Sequence, residues 1–167
     1  YWSRGLGDVY KRQQEKEWKK AIVISERIQS ISNEDLSDTI SHYYCELAEN
    51  EIILSAEENL NDAKKYINKA LNYNKKSVRA LILLGDVSFQ NKKFNEALKR
   101  YIGIFDSYPD FSYLVLEKLK ITYEKLGTNE NFFTFIKSLS SIRNPMELYS
   151  NLSNYIPKNM SDEDISE

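Results

Sequence analysis

The sequence predicts an all-α solenoid of antiparallel helix pairs, on three observations. Glycine and proline are scarce, five and three in 167 residues, which leaves little turn chemistry for a many-stranded sheet. Lysines and acids are interspersed along the whole chain, the pattern of solvated helix faces. The third observation is a repeat. "LNDAKKYINKALNYNKK" and "FNEALKRYIGIFDSYPD" align Leu60 with Phe94, Ala63 with Ala97, Ile67 with Tyr101, Ala70 with Ile104 and Leu71 with Phe105, always 34 residues apart (97 − 63 = 34). Leu47 and Leu81 keep the same step. Two helical stretches per 34 residues is the tetratricopeptide signature.

Residues 1–13, "YWSRGLGDVYKRQ", resemble translated sequencing-adapter sequence and are expected to be a non-native leader without function. Gly5 and Gly7 follow no strand, so their G-x-G spacing is no dinucleotide fingerprint. A partial unit over 14–38 reads as a lone second helix, with Trp18, Ala21 and Ile28 in the places of Phe94, Ala97 and Ile104. Trp18 and Ile22 would cover a preceding helix and are expected to lie partly exposed, making the chain marginally stable or weakly self-associating. The first complete unit is 39–77.

The second, 78–111, carries the pattern best. Leu81, Leu84 and Gly85 lie on its first helix, where the glycine admits its partner helix closely. Phe94 caps the corner, Ala97 sits at the crossing and Tyr101 fills the space beyond. Pro109 stops the second helix, since it lacks an amide donor and clashes with the preceding turn. A third unit, 112–143, begins with a helix from Tyr113 to Leu126 ended by Gly127; in its second helix Phe132 replaces the usual alanine. Residues 145–157 open a further helix with Pro145 in its first turn, and the acidic tail 158–167 is expected to be disordered.

A net charge of −2 gives no global basic field, and no nucleic-acid partner is expected. No apolar run reaches the roughly 20 residues of a membrane span. "ISHYYCELAEN" holds the only histidine and the only cysteine, His42 and Cys45, three apart and therefore on neighbouring positions of a helix face. Zinc needs four ligands and a cysteine nucleophile needs an orienting group and an oxyanion pocket. Neither set is supplied, so no metal ligand, cofactor or catalytic residue is assigned. Tyr44, Leu47 and Leu54 are instead read as facing a neighbouring helix, with Cys45 and Ala48 as a small-residue strip.

The same run carries a resemblance. "HYYCELAE", preceded by "EWKKAIVISERIQ" and followed by "DAKKYINKALNYNKKSVRALILLGDV", "ITYEKLG" and "FIKSL", resembles the lipopolysaccharide assembly protein B family of Gram-negative bacteria over about 14–157. The resemblance implies the tetratricopeptide region of an adaptor on the cytoplasmic face of the inner membrane, and no enzyme. The parent protein would carry an N-terminal anchor, its only link to the membrane, and a C-terminal rubredoxin-like module holding zinc or iron. Its implied partners are the deacetylase of the lipid A pathway and a membrane-anchored ATP-dependent protease. A general tetratricopeptide module with an unrelated partner, or an enzyme using Cys45, are the rival readings.

Stacked helix pairs present a concave groove lined by first helices. The residues expected to point into it, as candidate partner contacts, are Arg79, Ile82, Asp86 and Gln90 in one unit and Glu117, Ile121, Glu124 and Lys125 in the next. Arg79 is the leading candidate because a guanidinium holds a carboxylate with two hydrogen bonds.

Overall fold

A computed structural model describes residues 2–55 and 60–140; the helix expected at 145–157 and the tail at 158–167 lie outside them. Every regular element among the described residues is a helix, and the helices are arranged as an α-solenoid of neighbouring pairs. Helix α1 spans Trp2–Ile31, α2 Ser37–Leu54, α3 Asn61–Tyr73, α4 Val78–Gln90 and α5 Phe94–Ser107. A 3₁₀ turn over Pro109–Leu114 then leads into α6, Leu116–Lys125, and α7, Asn129–Ser140. The helix of the third unit therefore starts later than the sequence predicts, because Pro109 opens a 3₁₀ turn that takes in Tyr113 and Leu114.

The second helices keep the predicted register. Leu60, Ala63, Ile67 and Ala70 are buried, and so are Ala97, Tyr101, Ile104 and Phe105. The first helices do not. Ile40, Cys45, Leu47 and Ala48 on α2 are buried like Ala80, Gly85, Val87 and Ser88 on α4, each 40 residues on (85 − 45 = 40). Leu47 thus stands in the place of Val87 and not of Leu81. Between aligned positions the chain takes six more residues in the α2–α3 pair, from Cys45 to Ile67 (67 − 45 = 22), than in the α4–α5 pair, from Gly85 to Tyr101 (101 − 85 = 16). From α4 to α6 the step is 35, fixed by the turns that follow: Lys92 (φ 59°) and Gly127 (φ 68°) hold the same left-handed conformation (127 − 92 = 35).

That conformation suits glycine and strains lysine. Lys92→Gly should therefore stabilise the protein by about 0.5–1 kcal/mol, the strain relieved exceeding the extra chain entropy glycine loses on folding. A urea titration with an unchanged midpoint would refute it.

Gly85 is where α4 meets α5. A Cβ there would lie 2.3 Å from Tyr101 Cε1, so the ring occupies the volume a side chain would need. In the preceding pair Cys45 and Ile67, both fully buried in one core cluster, stand in the places of Gly85 and Tyr101. In register, a smaller second-helix residue there stands opposite a larger first-helix one. The corner is closed by Phe94 packed edge-on against Phe89, ring centroids 5.2 Å apart. Ser77 caps α4 by accepting from the Ala80 amide. Phe132, where alanine is usual, is buried against Tyr123 and Phe133.

Helix α1 is continuous, so residues 2–13 belong to the same helix as Trp18. Trp18 is half-buried, as expected, and stacks on Tyr43 at 5.5 Å; contrary to expectation Ile22 is buried, because this face of α1 points forward to α2. The residues left open are on the opposite face: Ile24, Ile28 and Ile31 are exposed, and Ala21, Ile24, Ile28 and Ile31 form a stripe at heptad spacing. Nothing among the described residues covers it. The chain should therefore self-associate as its concentration rises, and Ile24→Lys with Ile28→Lys should leave it monomeric. Sedimentation velocity giving one monomeric species for the unsubstituted chain at high concentration would refute this.

Candidate partner-binding face

Helices α2, α4 and α6 are the first helices of successive pairs, and ion pairs join each to the next: Arg79 to Glu46 and Glu49, and Lys118 to Asp86. Placing α2 40 residues before α4 and α6 35 residues after it sets Thr39 level with Arg79 and gives the rows His42–Ile82–Glu117, Glu46–Asp86–Ile121 and Glu49–Phe89–Glu124. The candidate residues do fall into these rows, with Gln90 and Lys125 beside the last. Their side chains are in different situations.

Arg79 is engaged by its own chain. One guanidinium nitrogen donates to Glu46 Oε1 at 2.7 Å and to His42 Nδ1 at 3.1 Å, and the other donates to Glu49. His42 Nε2 lies 3.4 Å from the same Glu46 oxygen. Burial disfavours the Arg79 charge, but the bonds to the two carboxylates outweigh it and raise its pKa. Fork geometry toward carboxylates was the property that singled Arg79 out; the carboxylates it holds are those of α2, which pins neighbouring pairs together. Asp86 does the same on the other side, accepting from the Tyr101 hydroxyl at 2.7 Å and from Lys118 Nζ at 2.8 Å. Sequence reasoning missed Glu46, Glu49 and Lys118. The signal was the spacing of Glu46 and Glu49 on one helix face, usable only with the first helices in register.

The remaining candidates differ in exposure. Ile82 and Gln90 are half-buried, and Glu117, Ile121, Glu124 and Lys125 are exposed on α6. Glu124 also lines a shallow pocket with Lys120, Phe132 and Phe133, between α6 and α7.

His42 and Cys45 do not form a pair. His42 is exposed and turned to Glu46 and Arg79, whereas Cys45 is fully buried in the core. Burial pushes the Cys45 thiol up, against weaker opposing effects of Ser77 and Arg79, the reverse of what a thiolate nucleophile needs. Among the described residues no three His, Cys, Asp or Glu side chains are grouped to hold a metal ion, and no helix is long and apolar enough to cross a membrane.

No protein-family model matches the chain. Among curated proteins it is similar to lipopolysaccharide assembly protein B of Haemophilus influenzae, 29% identical over 136 residues, covering 81% of this chain and 33% of that protein. It is 26% identical over 121 residues to the protein of the same name from Escherichia coli K12, covering 72% of this chain and 30% of that protein. The chain thus spans about a third of the length of the curated relatives it matches. Through this similarity, which takes in most of the helical array and its "HYYCELAE" helix, the chain is related in sequence to lipopolysaccharide assembly protein B.

Proposed function

We propose that the chain is a protein-binding scaffold acting in lipopolysaccharide assembly, as part of a longer tetratricopeptide-repeat adaptor. The sequence relation to proteins named for that process carries the reading. The stacked first helices, which present a continuous row of side chains and no catalytic pairing of Cys45 with His42, support it. In the finer form, the adaptor stands at the cytoplasmic face of the inner membrane and brings the lipid A pathway deacetylase to a membrane-bound protease. A scaffold that holds substrate and protease together raises their effective concentration without adding chemistry.

The test is co-purification of the tagged chain, within its full-length parent, with the deacetylase and with the protease, together with the deacetylase's half-life in cells with and without the parent gene. Capture of both and a longer half-life on deletion are expected. Capture of neither, with the half-life unchanged, would leave a repeat module serving another partner.

A further inference from the structure

The two second helices that flank α2 each turn a row of residues away from it. On α1 the row toward α2 is Trp18, Ile22, Ser25 and Gln29. Trp18 stacks on Tyr43, Ile22 and Ser25 are buried, and Gln29 accepts from the Leu36 amide. A shift of two residues crosses to the opposite side of a helix, about 200° round. It gives Lys16, Lys20, Val23 and Arg27, all exposed. On α3 the buried residues are Ala63, Ile67 and Ala70, and the same shift gives Asn61, Lys65 and Asn68, all exposed, with exposed Lys64 and Lys69 beside them. The two helices lie side by side and run the same way. Lys19 reaches the Tyr66 ring and Glu26 accepts from the Tyr73 hydroxyl at 2.6 Å, a step of seven on each helix (26 − 19 = 7, 73 − 66 = 7). Their outward rows therefore share one surface.

That surface is basic. Residues 14–31 and 61–76 hold nine lysines and arginines against four carboxylates, a net +5 (9 − 4 = 5), in a chain of net −2. Neither outward row contains a carboxylate. Of the four, Glu15 pairs with Lys19, Glu17 pairs with Lys20 at 3.0 Å and Glu26 is held by Tyr73. Asp62 is exposed in the first turn of α3.

We propose that this face of α1 and α3 docks on an anionic lipid bilayer. The occupant follows from the layout. The cations are spread along two parallel rows about 16 Å long, a spacing that suits a plane of headgroups. Val23 in the row and Ile24 beside it are 63% and 58% exposed, and would enter the boundary between headgroups and acyl chains as the apolar residues of interfacial helices do. A single-stranded nucleic acid would need rings free for its bases, whereas Tyr44, Tyr66 and Tyr73 are stacked among themselves. The contact is made by the helical array itself and does not depend on the scaffold reading.

Co-sedimentation of the whole chain with vesicles tests it, using phosphatidylcholine alone and phosphatidylcholine with an equal amount of phosphatidylglycerol. The chain should sediment with the mixed vesicles and not with the neutral ones, and added salt should release it. Lys65→Gln should weaken partitioning about fivefold, the contribution of one cation near an anionic surface, and Lys16→Gln with Lys65→Gln about tenfold or more. Asn131→Glu makes the same change in net charge on α7, at the other end of the array, and should leave partitioning within about twofold because salt screens distant charges. Fluorescein-labelled poly-glutamate and single-stranded DNA should show no saturable binding by anisotropy at the same salt. No binding to the mixed vesicles, equal binding to the neutral ones, an equal loss with Asn131→Glu, or saturable binding of either polyanion would overturn the assignment. Circular dichroism of each variant separates lost binding from lost fold. Vesicle sedimentation judges this face and co-purification judges the scaffold reading, so either can fall alone.

Discussion

Gly85→Ala should lower stability by about 2–3 kcal/mol, a large effect for the addition of one methyl group. Two terms oppose each other. Alanine is the better helix former by about 1 kcal/mol. Against it, the new Cβ would stand 2.3, 2.8 and 2.9 Å from three atoms of the Tyr101 ring. That ring cannot step aside cheaply: Tyr101 is 1% exposed and its hydroxyl is tied to Asp86. The steric term should win. Gly85→Cys should cost as much or more, yet Gly85→Cys with Tyr101→Ile copies the Cys45–Ile67 arrangement and should recover about 1 kcal/mol or more, as contacting sites couple. Urea titration of the four proteins gives the answer. An alanine variant as stable as the parent would mean that α4 does not approach α5 through Gly85.

Asp86→Ala should cost about 2–3 kcal/mol, because it strips the partner from a buried hydroxyl and from Lys118 together. Asp86→Asn, which can still accept from Tyr101, should cost less. The same group shapes the alkaline limit of stability. Burial, and then the Asp86 charge, push the Tyr101 pKa up. The hydrogen bond to Glu26, and then burial, push Tyr73 up to about 12 from 10.0. Above pH 10 the unfolded chain therefore holds fewer protons than the folded one, and stability falls as pH rises through the tyrosine range. Tyr101→Phe, although less stable near neutrality, should lose less between pH 9 and 11. Parallel pH dependences for parent and variant would refute the assignment of that slope to Tyr101.

The second helices were legible because nothing interrupts the spacing from Leu60 to Leu71 or from Phe94 to Phe105. The helix crossing was legible too, since glycine opposite a large ring leaves a mark in composition. The α2 register was not. A longer passage to α3 moves the first helix while leaving the second in step, and Leu47 happens to match Leu81 at the wrong step. Of the candidate face, the sequence named positions on α4 and α6 but none on α2. What could not be read was that Arg79 and Asp86 spend their charges on α2, Tyr101 and α6, because contacts between units depend on the register that was missing.

The unlike fillings of the two helix crossings bear on how the chain avoids folding wrongly. Repeat proteins are prone to mispairing, in which one unit's helix closes on another unit's partner. Here such an exchange is penalised in both directions. Tyr101 against Cys45 would collide with a side chain where it now meets none, and Ile67 against Gly85 would leave the space of a ring unfilled. Overpacking and voids each cost a few kcal/mol at about this scale. Each hairpin thus recognises its own second helix, so that neighbouring units share an architecture without being interchangeable.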